Sequence, residues 1–115
     1  EERGRHEGQG YTINCPMAAG SDDAQFIRAW TETIEPAFES FQPDLILISA
    51  GFDADARDPL GGLNLTPAAF ENLTERVVAS SEAWCNGRIV SSLEGGYNVR
   101  ALAEDVGVHL DALLG

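Results

Sequence analysis

The spacing of apolar positions changes period several times along this chain, and each change marks an element. Tyr11–Cys15, YTINC, alternates and is rich in β-formers, which predicts a first strand stopped by Pro16. Next comes a helical repeat, with Phe26, Ile27, Trp30, Ile34 and Phe38 on one side and Ser21 or Asp22 available as cap. Pro36 falls inside this repeat and is expected to end or kink the helix. Pro43 then introduces the unbroken apolar run Leu45–Ile48. Such a run predicts a strand over Leu45–Ser49, buried on both faces as in a parallel sheet.

Thr66-Pro67 is a helix start, with Thr as cap and Pro in the first turn. Phe70, Leu73, Val77 and Val78 continue at helical spacing to about Trp84, and Asn86-Gly87 is the stop. Arg88–Leu93, RIVSSL, predicts a third strand, broken at Glu94-Gly95-Gly96-Tyr97. A last helix is expected over about Val99–Leu114, with Leu102, Val106, Leu110 and Leu113 on one face. The first ten residues carry three glycines and several charges and predict a loop. The chain has no internal repeat, low-complexity tract or linker.

The order β-α-β-α-β-α predicts an α/β fold with a parallel sheet and right-handed crossovers. At 115 residues the chain is one domain at most. Three strands would leave the sheet edges open, so the pattern reads as half of a larger doubly wound domain.

Two loops carry the candidate chemistry. Gly51–Leu65 follows the central apolar strand and holds aspartates at 53, 55 and 58. Connections in α/β units usually run about 2–6 residues, so a longer acidic one points to function. Glu94–Asn98 follows the next strand. Both loops leave carboxyl ends of strands, where such folds bind ligands, so Tyr97 is expected near the aspartates. By residue type alone, Asp58 is either a turn former with Pro59 or a metal ligand. Asp53 and Asp55 read as loop-capping or solvated carboxylates. A hard-cation site built from Asp53, Asp55 and Asp58 fits no calcium-loop spacing. Tyr97 alone reads as a packing residue, Glu94 as a structural one, and Trp30 and Trp84 as core. His109, beside the apolar stripe of the last helix, reads as a core or interface histidine. Gly95-Gly96 lacks the spacing of a dinucleotide-binding loop.

Charge narrows the classes further. Seven basic and nineteen acidic residues leave a net charge of −12, which argues against direct binding to nucleic acid. It favours a cationic substrate. No apolar run approaches the roughly 20 residues of a membrane span. The N-terminus, EERGRHEGQG, is polar and offers no signal peptide. Beginning on Glu1 suggests a fragment or a processed product. Cys15 and Cys85 form no disulfide framework or CxxC pair and read as ordinary thiols in a reducing cytoplasm. The acceptor patterns at Asn64 and Asn72 are taken as chance.

SAGFDADARDPLGG, followed by LTPAAF and then LEGGYN, resembles the C-terminal half of the zinc-dependent histone deacetylase and acetylpolyamine amidohydrolase family. GFDA, DPLGG and LEGGY are most similar to its class II-like branch. GYTINCP and SDDAQFIRAW resemble the family's preceding strand and helix, so the likeness runs from about Gly8 to Gly115. It implies a three-layer α-β-α fold with a mostly parallel sheet, arginase/deacetylase-like, of which residues 1–115 are the C-terminal portion. It implies hydrolysis of acetyl-lysine or acetylpolyamine amides with Zn²⁺ as cofactor. By motif match Asp58 is a zinc ligand, Tyr97 the oxyanion donor, and Gly95 and Gly96 the backbone lining the substrate channel.

The chain departs from the family where its other catalytic residues belong. It has no Asp-x-His and no His-His pair, and its two histidines, His6 and His109, sit in no matching context. A catalytic zinc takes about three protein ligands. The resemblance therefore implies one ligand and one oxyanion donor here, with no base and no zinc site complete within the chain. A second expectation stands beside the enzymatic one: a non-catalytic module that forms a homo-oligomer through its exposed sheet edge.

Overall fold

The computed structural model describes residues 2–115. After a short 3-10 turn at His6–Gly8, the chain forms α1 (Asp23–Ala29), a π turn (Trp30–Ile34), α2 (Glu35–Phe41), β1 (Ile46–Ala50), α3 (Pro67–Cys85), β2 (Ile89–Leu93) and α4 (Val99–Leu114). The strands pair in parallel, Ile46 opposite Ile89 through Ala50 opposite Leu93.

Local chemistry accounts for the helix ends. Asp22 caps α1 in a reciprocal box: its carboxylate accepts the Gln25 amide, and the Gln25 side chain accepts the Asp22 amide. Asn86 ends α3 in the left-handed region at φ 53°, followed by Gly87 at φ 72°. Thr66 occupies the cap position of α3, but its hydroxyl donates to Asp23 instead, tying α3 to α1.

Pro36 neither ends nor breaks its helix. The preceding turn widens, so that the Glu35 amide reaches back five residues to the Trp30 carbonyl. Proline lacks an N–H and its ring crowds the carbonyl four residues earlier; one extra residue in the turn accommodates both.

The expected strand at Tyr11–Cys15 is absent. The segment is irregular and pairs with no strand among the described residues, so the described sheet has two strands and not three. Alternation is a local preference that becomes a strand only with a neighbour to pair with. Tyr11 packs its ring edge-on against Phe41 instead.

Burial on both faces of β1 is also corrected. Ile46 and Ala50 are buried, whereas Leu47 is 72% exposed and its ladder partner Val90 54%. The helices of this chain cover one face of the sheet. Two clusters fill that side: Ala50, Phe52, Leu65, Ala69 and Phe70 at the carboxyl end of β1, and Ile46, Val77 and Cys85 lower down, with Trp30 and Phe38 against them. Trp84 lies on the outer flank of α3 at 37% exposure, not in the core.

In α4 the most buried line falls one position before the expected stripe, of which Leu102 and Val106 still pack against the core. Ala101, Asp105 and His109 are the buried residues of this helix, while Leu110 is exposed. His109 is a buried core histidine. Its Nδ1 lies 2.8 Å from Thr74 Oγ1 on α3 and its Nε2 2.9 Å from Ser91 Oγ on β2. The Thr74 hydroxyl donates to the Phe70 carbonyl, so its lone pair is free to accept from Nδ1–H, and Nε2 then accepts from Ser91. Burial lowers the His109 pKa and favours this neutral ring.

Candidate active site at the carboxyl ends of the strands

β1 ends at Ala50 and β2 at Leu93, and the two loops that follow are stitched together. Glu94 donates its amide to the Ala50 carbonyl, and Phe52 donates to the Gly95 carbonyl, each at 2.9 Å. The expectation that both loops share one edge therefore holds in this chain.

Asp58 is the central tie. Its Oδ1 accepts the amides of Leu60 at 2.8 Å and Gly61 at 2.9 Å. Its Oδ2 accepts the amide of Tyr97 at 2.7 Å. Burial works to raise this carboxyl, but the Tyr97, Leu60 and Gly61 amides outweigh it and hold the pKa below the usual carboxylate value. Asp58 is therefore a turn former and an anionic oxygen donor together. A carboxylate offers about four lone-pair sites, and three are used, which leaves one for a ligand. Among the described residues no group of three His, Cys, Asp or Glu could hold a metal. The donor set thus fits one ligand of a zinc site, not the whole site.

Tyr97 is 56% exposed, with its backbone anchored by Asp58. Asn98 adds a second anchor. Its Nδ2 donates to the Arg57 carbonyl at 3.0 Å, while its Oδ1 caps α4 through the Ala101 amide. The residues flanking Asp58 and Tyr97 are thereby fixed to each other.

Gly95 and Gly96 sit where the loops close on the core. A Cβ at Gly95 would meet Asp53 Oδ2 at 2.6 Å, and one at Gly96 would meet Leu102 Cδ1 at 2.7 Å. Gly96 also has φ +137°, open essentially to glycine. The close approach at this pair is between the chain's own segments. Asp53 is partly buried, its carboxylate against Gly51 and Gly95.

Asp55 departs from the expected solvated carboxylate. It is 2% exposed and takes a two-pronged bond from Arg57, Nε to Oδ1 and Nη2 to Oδ2, each at 2.9 Å. That side-chain bond keeps the Asp55 carboxyl low against the opposing effect of burial. Arg57 reaches onward to Glu104 at 2.7 Å. Behind them lies Asp105, whose carboxyl burial pushes up to about 7, with the adjacent Asp55 charge adding to the rise. Asp53, Asp55 and Asp58 therefore do not converge on one ion.

Arg57, Asn98, Glu104 and Asp105 escaped the sequence reading. Asn98 was findable as a helix cap directly after LEGGY. Asp105 was findable only by placing the inward stripe of α4 one residue earlier.

The profile described as "Histone deacetylase domain" matches residues 1–113. "Histone deacetylase 10, chloroplastic" of Oryza sativa subsp. japonica is 44% identical over 112 residues, covering 97% of this chain and 25% of that protein. "Polyamine deacetylase HDAC10" of Homo sapiens is 37% identical over 113 residues, covering 97% of this chain and 16% of that protein. The crystal structure of the HDA15 HD domain superposes with a TM-score of 0.91 at 36% identity, covering 98% of this chain and 31% of that one. The chain thus spans about a third or less of the proteins it matches. The fold class is accordingly that of the deacetylase domain, α/β with a parallel sheet. The stitched loops, the domain profile and the superposition agree: this chain belongs to the histone deacetylase family.

Proposed function

We propose that this chain is the part of a zinc-dependent deacetylase that carries one metal ligand, Asp58, and the oxyanion donor, Tyr97. One observation carries the reading: Asp58 Oδ2 accepts the Tyr97 amide at 2.7 Å, so the two residues are held as one unit. Zinc, when bound, polarises the amide carbonyl and supplies an activated water. Asp58 offers that metal an anionic oxygen whose remaining lone pairs are fixed by backbone amides. Tyr97 keeps its side chain exposed, free to donate to an oxygen that gains charge. Gly95 and Gly96 hold the backbone between strand and tyrosine. The remaining ligands and the general base come from outside these residues.

The substrate is an acetylated lysine or polyamine amide, in keeping with the names of the relatives and the charge of −12. The free thiols Cys15 and Cys85 suit the reducing, cytoplasmic setting that we assign. The test is release of acetate from an acetyl-lysine peptide and from an acetylated polyamine by the full-length protein, with zinc measured in the same sample. Turnover of either with about one zinc per chain supports the reading; a zinc-loaded protein inert on both overturns it.

A second reading, a non-catalytic module that self-associates, is favoured by the bare sheet face at Leu47 and Val90. Molar mass in solution tests it.

A further inference from the structure

Asp105 has no solvent exposure, and neither of its oxygens has a hydrogen-bond partner among the described residues. A buried, unpartnered carboxylate is among the most costly groups a fold can hold, and it resolves by pairing or by taking a proton. The nearby cation, Arg57, donates no hydrogen bond to it. Arg57 spends Nε and Nη2 on Asp55 and Nη1 on Glu104. What lies within bonding reach of Asp105 is the Asp55 carboxylate, itself an acceptor. Two carboxyl groups in contact away from water share a proton, because both cannot stay ionised.

We propose that Asp105 is a protonated acid that donates its O–H to Asp55, and so acts as a positioning residue for the loop that carries Asp58. The chain of contacts is continuous. Asp105 fixes Asp55, and Asp55 accepts three bonds from Arg57: the backbone amide at 2.7 Å, Nε and Nη2. Arg57 directly precedes Asp58, and its carbonyl receives Asn98. The charged groups facing Asp105 are Asp55 and Arg57 from the loop and Glu104 from its own helix. The side chains that α3 and β2 bond to α4, Thr74 and Ser91, are uncharged. A cation shared by the two carboxylates is the competing solution, disfavoured by the guanidinium already there.

The role of the loop rests on the deacetylase reading, but the proton does not, and its test needs neither zinc nor activity. Infrared difference spectra of the full chain at about pH 6 should show the carbonyl stretch of a buried carboxylic acid. Asp105→Asn should remove that band while retaining a donor toward Asp55. The folding equilibrium of the wild type should fall about tenfold per pH unit relative to Asp105→Asn between about pH 4 and about pH 7, then run parallel. Asp105→Leu, with no donor, should be less stable than Asp105→Asn at every pH. Absence of the acid band in folded wild type overturns the proposal, as do parallel pH curves for wild type and Asn. So does stabilisation specific to added potassium or sodium without an acid band. Should Asp105→Asn fail to fold, the band and its titration in the wild type decide alone.

Discussion

Asp58 and Tyr97 lie 39 positions apart, yet one oxygen of the Asp58 carboxylate accepts the Tyr97 amide at 2.7 Å. The bond joins the loop after β1 to the loop after β2. The candidate metal ligand and the candidate oxyanion donor thus cannot move independently.

That coupling separates two variants. Tyr97→Phe removes only the hydroxyl and leaves the amide bond to Asp58 in place. In the full-length protein zinc content should be unchanged while kcat falls about 10²–10³-fold, the usual loss for one oxyanion donor. Asp58→Ala should lose zinc and activity together, and also free the Leu60, Gly61 and Tyr97 amides. Metal analysis beside acetate release distinguishes the two patterns.

Gly96→Ala should destabilise by about 1–3 kcal/mol, because its φ of +137° strains any side chain and Leu102 occupies the space. Gly95→Ala meets the Asp53 carboxylate instead, so Asp53→Gly in the same chain should recover part of its loss. Denaturant midpoints for the singles and the double measure the coupling.

His109 ties α3, β2 and α4 as a neutral ring. Burial holds its pKa below the ordinary 6.5, so on acidification the unfolded chain takes up the proton first. Its contribution to stability is complete above about pH 6.5 and declines below it. Thr74→Val should cost about 1–3 kcal/mol, since Nδ1 is left buried without its partner. His109→Leu should flatten the acid side of the stability profile, read by thermal unfolding from about pH 5 to about pH 8.

Leu47 and Val90 are neighbours on the uncovered sheet face. The chain by itself should self-associate through that face, and Leu47→Lys should shift it toward monomer with little change in helix content. Light scattering with circular dichroism checks both halves.

Most of the fold was legible because it rests on local chemistry. The helix Val99–Leu114 was anticipated to the residue, and Asn86-Gly87 did end α3. The central strand moved by one position, from Leu45–Ser49 to Ile46–Ala50. The meeting of the two loops followed from parallel-strand logic, and GFDA, DPLGG and LEGGY carried the family. Tyr11–Cys15 failed because pairing is not local.

The chain's amino-acid order by itself determined the ends of α3 and α4, the acidic balance, and the family. Capping, glycine and proline act over a few residues, and motifs are read in the same way. Tertiary structure alone decided that Pro36 sits within a continuous helix, that α4 turns Ala101, Asp105 and His109 inward, and that Asp55 belongs to Arg57. Those outcomes depend on which side chain shares a buried space with which. A carboxylate is solvated, paired or protonated according to neighbours as much as 50 positions away, as Asp105 is from Asp55.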